Sequence, residues 1–185
     1  PPLEQLGYGE AAGDRRLREM IAAYLRNGRG LRCTPEQIVV TSGAQQAISL
    51  CTQLLLQPGD SVALENPCYR AAAQTFAVAG ARLRGVAVDR DGLDTRQLAA
   101  LHDCRLAYVT PSHQYPSGVT LSLARRLELL EWAERTQAWI IEDDYDGEYR
   151  YSGTPLATLA SLDRQGRVLY VGTFSKVLFP ALRLG

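Results

Sequence analysis

The sequence predicts an α/β fold in three layers, with a mostly parallel sheet covered by helices on both faces. Two observations lead to this class. Continuous apolar runs, which are typical of strands buried on both faces, alternate with helical segments. The chain has 185 residues, enough for one domain with a substantial core. Its Lys and Arg residues equal its Asp and Glu residues at 20 each, so the domain itself is not expected to attract nucleic acid.

The predicted elements alternate along the whole chain. Residues 14–27 form an amphipathic helix with Asp14 as its cap and Gly28 as its stop, and the apolar residues 38–41 form a buried strand. That strand turns at Ser42 and Gly43 into a helix that Pro58 and Gly59 close. The later predictions are strands 61–65, 81–88, 106–110, 138–144 and 168–175, with helices 69–78, 94–101 and 122–137.

Metal and disulfide chemistry are not expected. The four cysteines are far apart without a CxxC pair, and only two histidines could join them, which favours a reduced, cytoplasmic compartment. No apolar run approaches the ~20 residues of a membrane helix. The acidic residues 142–148 begin like a calcium loop, but Gly153 stands where that motif requires glutamate.

Polar residues follow five of the predicted strands. Since parallel strands bring their carboxyl ends to one edge of a sheet, these residues should meet there. Any one of them alone could equally be a solvated loop. Their joint chemistry predicts a ligand site formed by residues 42–45, 66–69, 111–118, 142–148 and 173–176.

One part of this edge has the composition of a phosphate site. The turn at Gly43 presents free backbone amides at a helix N-terminus, which favours an anion. Thr173 and Ser175 add hydroxyls, and Arg183 adds a planar donor. Neither a GxxxxGK[ST] nor a GxGxxG motif is present, so the pattern indicates neither a P-loop nor a dinucleotide fold.

Three further residues extend this site to a particular cofactor. Lys176 supplies an amine, Asp143 a carboxylate at the end of an apolar strand, and Tyr69 an aromatic platform. Pyridoxal phosphate needs a lysine for a Schiff base with its aldehyde and a carboxylate that keeps its ring nitrogen protonated. The combination therefore predicts pyridoxal 5'-phosphate as the cofactor.

The same residues carry a family resemblance. The segments GYGEAAGDRRLREMIAAYLRNGRGLRCTPEQIVVTSGAQQAI, LENPCYRAA, YVTPSHQYPSG, IIEDDYDGEYRY and VGTFSKVLFPALRLG resemble the fold-type I pyridoxal-phosphate enzymes of the aspartate aminotransferase superfamily. Within it, the chain is most similar to the aminotransferase-like domain of MocR-type transcriptional regulators of the GntR superfamily.

The resemblance implies a role for each matching residue. Lys176 would bind the cofactor covalently, Asp143 would pair with the pyridine nitrogen, and Tyr145 would hydrogen-bond the ring hydroxyl. Tyr69 would stack on the ring, and Tyr8 would reach the phosphate of a neighbouring subunit, which implies a homodimer. The phosphate would be held by Gly43, Ala44, Gln45, Thr173, Ser175 and Arg183.

Two departures limit the comparison. Ordinary aminotransferases of the superfamily have asparagine where this chain has Tyr115, so another group would have to support the ring hydroxyl. His113 either does so or only hydrogen-bonds loop backbone, and the sequence leaves both open. The arginine that binds the substrate carboxylate would lie well beyond Lys176. We therefore expect residues 1–185 to be part of a cofactor-binding large domain, without the DNA-binding and small domains.

Two functions remain open from the sequence. The domain could sense pyridoxal phosphate or an amino compound for a regulator that binds DNA through another domain, or it could be an active aminotransferase. The loop at 112–118 and the segment 142–151 favour the sensor. The resemblance also implies a further strand beside residues 38–41, so we expect weak stability or incomplete cofactor binding for these 185 residues alone.

Overall fold

The computed structural model describes residues 7–147 and 157–185 and contains one six-stranded sheet. The strand order is β3-β2-β1-β4-β5-β6; every neighbouring pair is parallel except β2 and β3. The strands are β1 (Ser61–Asn66), β2 (Arg82–Asp89), β3 (Gly92–Leu93), β4 (Cys104–Val109), β5 (Trp139–Asp144) and β6 (Val168–Gly172). Glu148, the last residue of the polar stretch 142–148, lies outside the described residues.

The helices follow the predicted order, with one wrong boundary. They are α1 (Arg15–Arg29), α2 (Ala44–Leu55), α3 (Arg70–Val78), α4 (Thr95–Ala99), α5 (Leu123–Thr136) and α6 (Leu159–Leu162). The Asp14 side chain caps α1 by accepting from the Leu17 amide. Gly28, predicted as the stop, lies inside the helix, which ends at Gly30 in the left-handed conformation. A second glycine two residues later supplied the conformation that a C-cap needs.

Helices cover both faces of the sheet, so the three-layer prediction is confirmed. On one face, α2 and α3 pack through Ile48 and Phe76 on Val62, Tyr108 and neighbouring strand residues. The opposite face is covered by α4, α5 and α6, whose buried side chains include Leu98, Leu129, Trp132 and Leu159. Burial on both sides accounts for the continuous apolar runs in the central strands.

Residues 38–41 do not form a strand, and that prediction was wrong. Their backbone bonds go instead to isolated partners: the Val40 amide donates to the Ala12 carbonyl, and Thr41 exchanges two bonds with Gly185. In the described part of the chain, β6 pairs with β5 alone, and a cleft of about 510 Å³ separates its free edge from residues 37–41. Without a neighbouring strand to form a ladder, this apolar run satisfies its backbone groups through such single partners.

Two short elements, β3 and α6, were not predicted, and two single 3₁₀ turns occur at Pro35–Gln37 and Pro180–Leu182. Within residues 7–147 and 157–185, every helix is too short or too polar to cross a membrane.

Candidate functional site at the carboxyl edge of the sheet

The strand order reverses between β1 and β4. From β1 the chain moves outward to β2, then returns to the other side of β1 with β4 and continues to β6. In open α/β sheets, the carboxyl ends beside such a reversal form a ligand crevice. In this fold, that position is occupied by the residues that follow β1, including Tyr69, and by the loop that follows β4, including His113 and Tyr115.

Asp143 lies near the end of β5 and is only 4% exposed. Alternation along the strand directs Ile141 and Asp143 to the face covered by α2 and α3. The Tyr108 hydroxyl donates to Asp143 Oδ2 at 2.6 Å, while Oδ1 is buried without a hydrogen-bond partner among the described residues. Burial raises the pKa of Asp143 to about 6, against the effect of the Tyr108 hydrogen bond. The site therefore contains a buried carboxylate with one oxygen available to a cationic partner.

Three tyrosines form an aromatic wall at the same edge. Tyr115 packs edge-on against Tyr69, with ring centroids 5.7 Å apart, and against Tyr145 at 6.2 Å. Tyr69 directly precedes α3, and Tyr145 directly follows β5. The pKa of Tyr145 is raised to about 12, mainly by burial and further by the negative charges of Asp146 and Asp143. Its hydroxyl therefore remains a proton donor at neutral pH.

A backbone cradle for an anion lies at the N-terminus of α2. Gly43 precedes the helix at φ 90° and ψ 170°, a region open to glycine alone. The first amides of a helix lack internal acceptors, and in α2 they belong to Ala44 and Gln45. Arg183 approaches closely, since its Nη2 donates to the Ser42 carbonyl at 3.3 Å. The free amides contribute partial positive charge and the Arg183 guanidinium a full positive charge, so both favour an anion at this point.

The segment after β6 returns to this cradle. Thr173 Oγ1 donates to Ser175 Oγ at 3.0 Å and accepts from the Ser175 amide at 3.2 Å. The Phe174 amide donates to the Leu184 carbonyl, which folds the chain back beside α2. Lys176 is exposed within this turn. The structure thus brings Arg183, near the end of this segment, to Gly43, while Thr173 and Ser175 bond to each other at its start.

Two other predicted residues, Gln45 and His113, have contacts that the sequence did not indicate. The Gln45 amide donates to Thr75 Oγ1 of α3 at 2.7 Å, and its Oε1 is buried without a hydrogen bond within the described ranges. His113 Nδ1 lies 3.0 Å from Asp146 Oδ1, which joins the loops after β4 and β5. Tyr8 is fully exposed.

Glu65 forms a buried polar cluster that sequence reasoning missed. Its Oε2 accepts from the Thr110 hydroxyl at 2.7 Å, the Thr110 amide at 3.2 Å and the Gln114 amide at 3.3 Å. Gln114 also donates to the carbonyls of Pro67 and Tyr115. Burial raises the pKa of Glu65 to about 7. The cluster fixes the loop that carries Tyr115, and the polar loop composition was its only sequence signal.

A second missed group, Arg29, ties α1 to two loops of the site. It pairs with Asp144 and donates to the Gly147 carbonyl at 2.9 Å and to Ser112 Oγ at 3.1 Å. Both side chains of the ion pair are buried, with 7% of Arg29 and none of Asp144 exposed. Tyr170 donates to Asp144 Oδ2 at 2.6 Å. No local pattern relates Arg29 to a residue 115 positions away.

This arrangement suits a ligand with an anionic group at one end and a proton-bearing ring nitrogen at the other. The anion would meet the cradle at Gly43 and Arg183, and the nitrogen would meet Asp143 Oδ1. Tyr69, which directly precedes α3 and packs against Tyr115, offers a surface for a planar ring. Fold and site together define the large domain of a fold-type I aminotransferase-like protein.

The chain belongs to the family described as aminotransferase class I and II, whose sequence profile matches residues 4–185. It is 44% identical over 179 residues to the probable rhizopine catabolism regulatory protein MocR of Rhizobium meliloti, covering 97% of this chain and 36% of that protein. It is 42% identical over 170 residues to the HTH-type pyridoxine biosynthesis transcriptional regulator PdxR of Corynebacterium glutamicum, covering 92% and 37%.

Among solved structures, the fold matches the Pyrococcus horikoshii kynurenine aminotransferase in complex with PMP, with a TM-score of 0.92 and 37% identity. That match covers 97% of this chain and 46% of the other. The chain thus spans between a third and a half of the proteins that it matches.

Proposed function

We propose that this chain is the pyridoxal-phosphate-binding, aminotransferase-like effector domain of a MocR-type transcriptional regulator. The cofactor is supported most directly by Asp143, whose Oδ1 is buried without a hydrogen bond to any described residue and would suit a protonated pyridine nitrogen. The regulatory role is supported by the relatives named as regulators, which are 44% and 42% identical.

The described residues fit this cofactor. The backbone of Gly43 and Ala44, with Thr173, Ser175 and Arg183, would hold the phosphate, and Gln45 would stay near it while bonded to Thr75. Tyr69 would cover the ring, Tyr145 would donate to its hydroxyl, and His113 would act beside Tyr145 through its contact with Asp146. Lys176 would provide the amine of covalent attachment. When bound, pyridoxal phosphate supplies an aldehyde that reacts with amines and a ring that withdraws electrons.

The quaternary and cellular setting is part of the same proposal. Tyr8 is fully exposed and would complete the site of a second copy, so the regulator would act as a homodimer in the cytoplasm. DNA would bind through a separate domain of the complete protein, since this chain carries no net charge.

An active aminotransferase is the second candidate. It is favoured by one observation, the TM-score of 0.92 to a kynurenine aminotransferase. In that case Lys176 Nζ would carry protons between substrate and cofactor. The cofactor residues serve both functions, so they cannot separate them.

The test is a visible absorbance titration of the full-length protein with pyridoxal phosphate, followed by single amino acids. A sensor is expected to give a spectrum that changes on amine addition and then persists. It should also change the affinity for promoter DNA, measured by fluorescence anisotropy in the same samples. Conversion to the pyridoxamine form with release of a 2-oxo acid, and with no change in DNA affinity, would favour the aminotransferase. Absence of any cofactor band would refute both.

A further inference from the structure

Tyr108 stands out among the buried polar side chains because its hydroxyl is bonded to the candidate cofactor-binding carboxylate. It lies on β4, is 1% exposed, and donates to Asp143 Oδ2 on the neighbouring strand β5 at 2.6 Å. Its ring packs edge-on against Phe76 of α3, with centroids 5.8 Å apart. The phenol is therefore fixed by packing on one side and by the carboxylate on the other.

The two oxygens of Asp143 consequently differ. Oδ2 is occupied by Tyr108, whereas Oδ1 is buried without a hydrogen bond within the described residues. We infer that Tyr108 is a positioning residue for Asp143. Its hydroxyl keeps the carboxylate ionised by bonding to Oδ2, so that Oδ1 is the oxygen that meets the ring nitrogen of the cofactor. The inference rests on the proposed function.

A hydrogen bond is needed at Asp143 because the surroundings oppose a negative charge. Burial is the largest influence on Asp143 and favours its neutral form, as do Asp144 and Asp146 on its own segment. Glu65 of β1 and Tyr145 also interact electrostatically with Asp143. The Tyr108 hydroxyl acts in the opposite sense, because donation to a carboxylate stabilises the ionised form.

A matched control concerns Asp144, which follows Asp143 on β5 and lies on the opposite face of that strand. Tyr170 of β6 donates to Asp144 Oδ2, also at 2.6 Å. Asp144 is already paired with Arg29, and it points away from the face that carries Asp143. Tyr108→Phe and Tyr170→Phe therefore remove the same chemical group from adjacent carboxylates, but only the first should affect the cofactor site.

The first measurement needs no cofactor. In cofactor-free full-length protein with ¹³C-labelled aspartate, the carboxyl titration of Asp143 is followed by NMR and assigned with Asp143→Asn. Tyr108→Phe is expected to raise the pKa of Asp143, with a gain of about tenfold in proton affinity, since hydrogen bonds to charged groups have free energies of this size. Tyr170→Phe should shift this titration much less, because it acts on Asp144, which remains paired with Arg29. An unchanged titration in Tyr108→Phe, or an equal rise in both variants, would overturn the inference.

The second measurement is the affinity for pyridoxal phosphate by absorbance titration. Tyr108→Phe is expected to weaken binding about tenfold in the wild-type background and to have no further effect in an Asp143→Asn background, because Tyr108 acts through that carboxylate. The same loss in both backgrounds would show a purely structural role and overturn the inference.

Tyr108→Phe keeps the packed ring, so the fold should survive. If it does not, a fluorinated tyrosine at position 108 retains the shape and is a stronger donor, so it should lower the pKa of Asp143. An unchanged or higher pKa would overturn the inference. If wild-type protein fails to bind pyridoxal phosphate, the proposed function fails, while the cofactor-free titration still decides whether Tyr108 controls Asp143.

Discussion

Replacing Arg29 by methionine should strongly destabilise the fold. The guanidinium is buried and contacts three partners: Asp144 at the end of β5, and the Gly147 carbonyl and Ser112 Oγ in two loops. Methionine fills similar apolar space but removes every donor. Among the described residues, Asp144, with none of its side chain exposed, would keep the hydroxyl of Tyr170 as its hydrogen-bond donor.

The expected magnitude follows from these contacts. Removing one partner of a buried ion pair costs about 3–5 kcal/mol, because an uncompensated charge stays in the interior. The bond to Gly147 adds about 1 kcal/mol. Whole domains are stable by about 5–15 kcal/mol, so Arg29→Met should remove roughly a quarter or more of the free energy of unfolding. Arg29→Met combined with Asp144→Asn should cost less than Arg29→Met alone, since no buried charge is left.

Urea denaturation of the full-length protein, followed by far-ultraviolet circular dichroism, measures this change. The control is Arg32→Met, which removes an exposed arginine from the same region and should cost less than about 0.5 kcal/mol. A loss below about 1 kcal/mol for Arg29→Met, or a loss equal to that of the control, would refute the stabilising role of the buried Arg29 contacts.

Three further predictions concern the site. Burial raises the pKa of Glu65 from 4.5 to about 7, so the folded state binds this proton more tightly than the unfolded state. The stability that the bound proton contributes is fully present below the pKa of Glu65 in the unfolded state. It is lost as the pH rises through the folded-state pKa of about 7. Glu65→Gln should remove this loss, on the order of 2 kcal/mol in denaturation at about pH 8 against about pH 5; parallel curves for both proteins would contradict it. Gly43→Ala should lower the free energy of unfolding by about 1–3 kcal/mol and weaken phosphate binding, because Gly43 has φ 90°. The control Gly28→Ala lies inside α1 with open space around it and should be neutral or stabilising. Equal stability changes in the two variants would contradict the assigned backbone conformation of Gly43. Asp143→Asn should weaken pyridoxal phosphate binding in absorbance titrations by at least about tenfold, since it removes the charge opposite the ring nitrogen; undiminished affinity would exclude the pairing.

Local patterns in the sequence were sufficient for the layers and for the edge that carries the site. Apolar runs gave the positions of β1, β4 and β5, because burial on both faces leaves a continuous hydrophobic signal. Shorter apolar stretches gave the more exposed β2 and the half-buried β6. Asp143 was expected at the buried end of a strand, and it is there. The same logic failed for residues 38–41, because a strand depends on a neighbour that its own residues do not specify.

Contacts between distant residues were beyond sequence reasoning. Tyr108 has the pattern of an ordinary core residue of β4, and only the pairing of β4 with β5 places it against Asp143. Arg29 resembles a surface residue at the end of an amphipathic helix, although its side chain is buried among loops from the other half of the chain. The expected weak stability of these 185 residues alone remains a prediction.

We propose that the carboxyl edge of this sheet holds pyridoxal phosphate with Lys176 as its covalent partner. Borohydride reduction of full-length protein incubated with pyridoxal phosphate, followed by peptide mass spectrometry, tests this proposal. We expect a single phosphopyridoxyl adduct on Lys176, the one lysine of this chain, and loss of the visible absorbance band in Lys176→Ala. An unmodified Lys176 in the reduced protein, or an undiminished band in Lys176→Ala, would refute it.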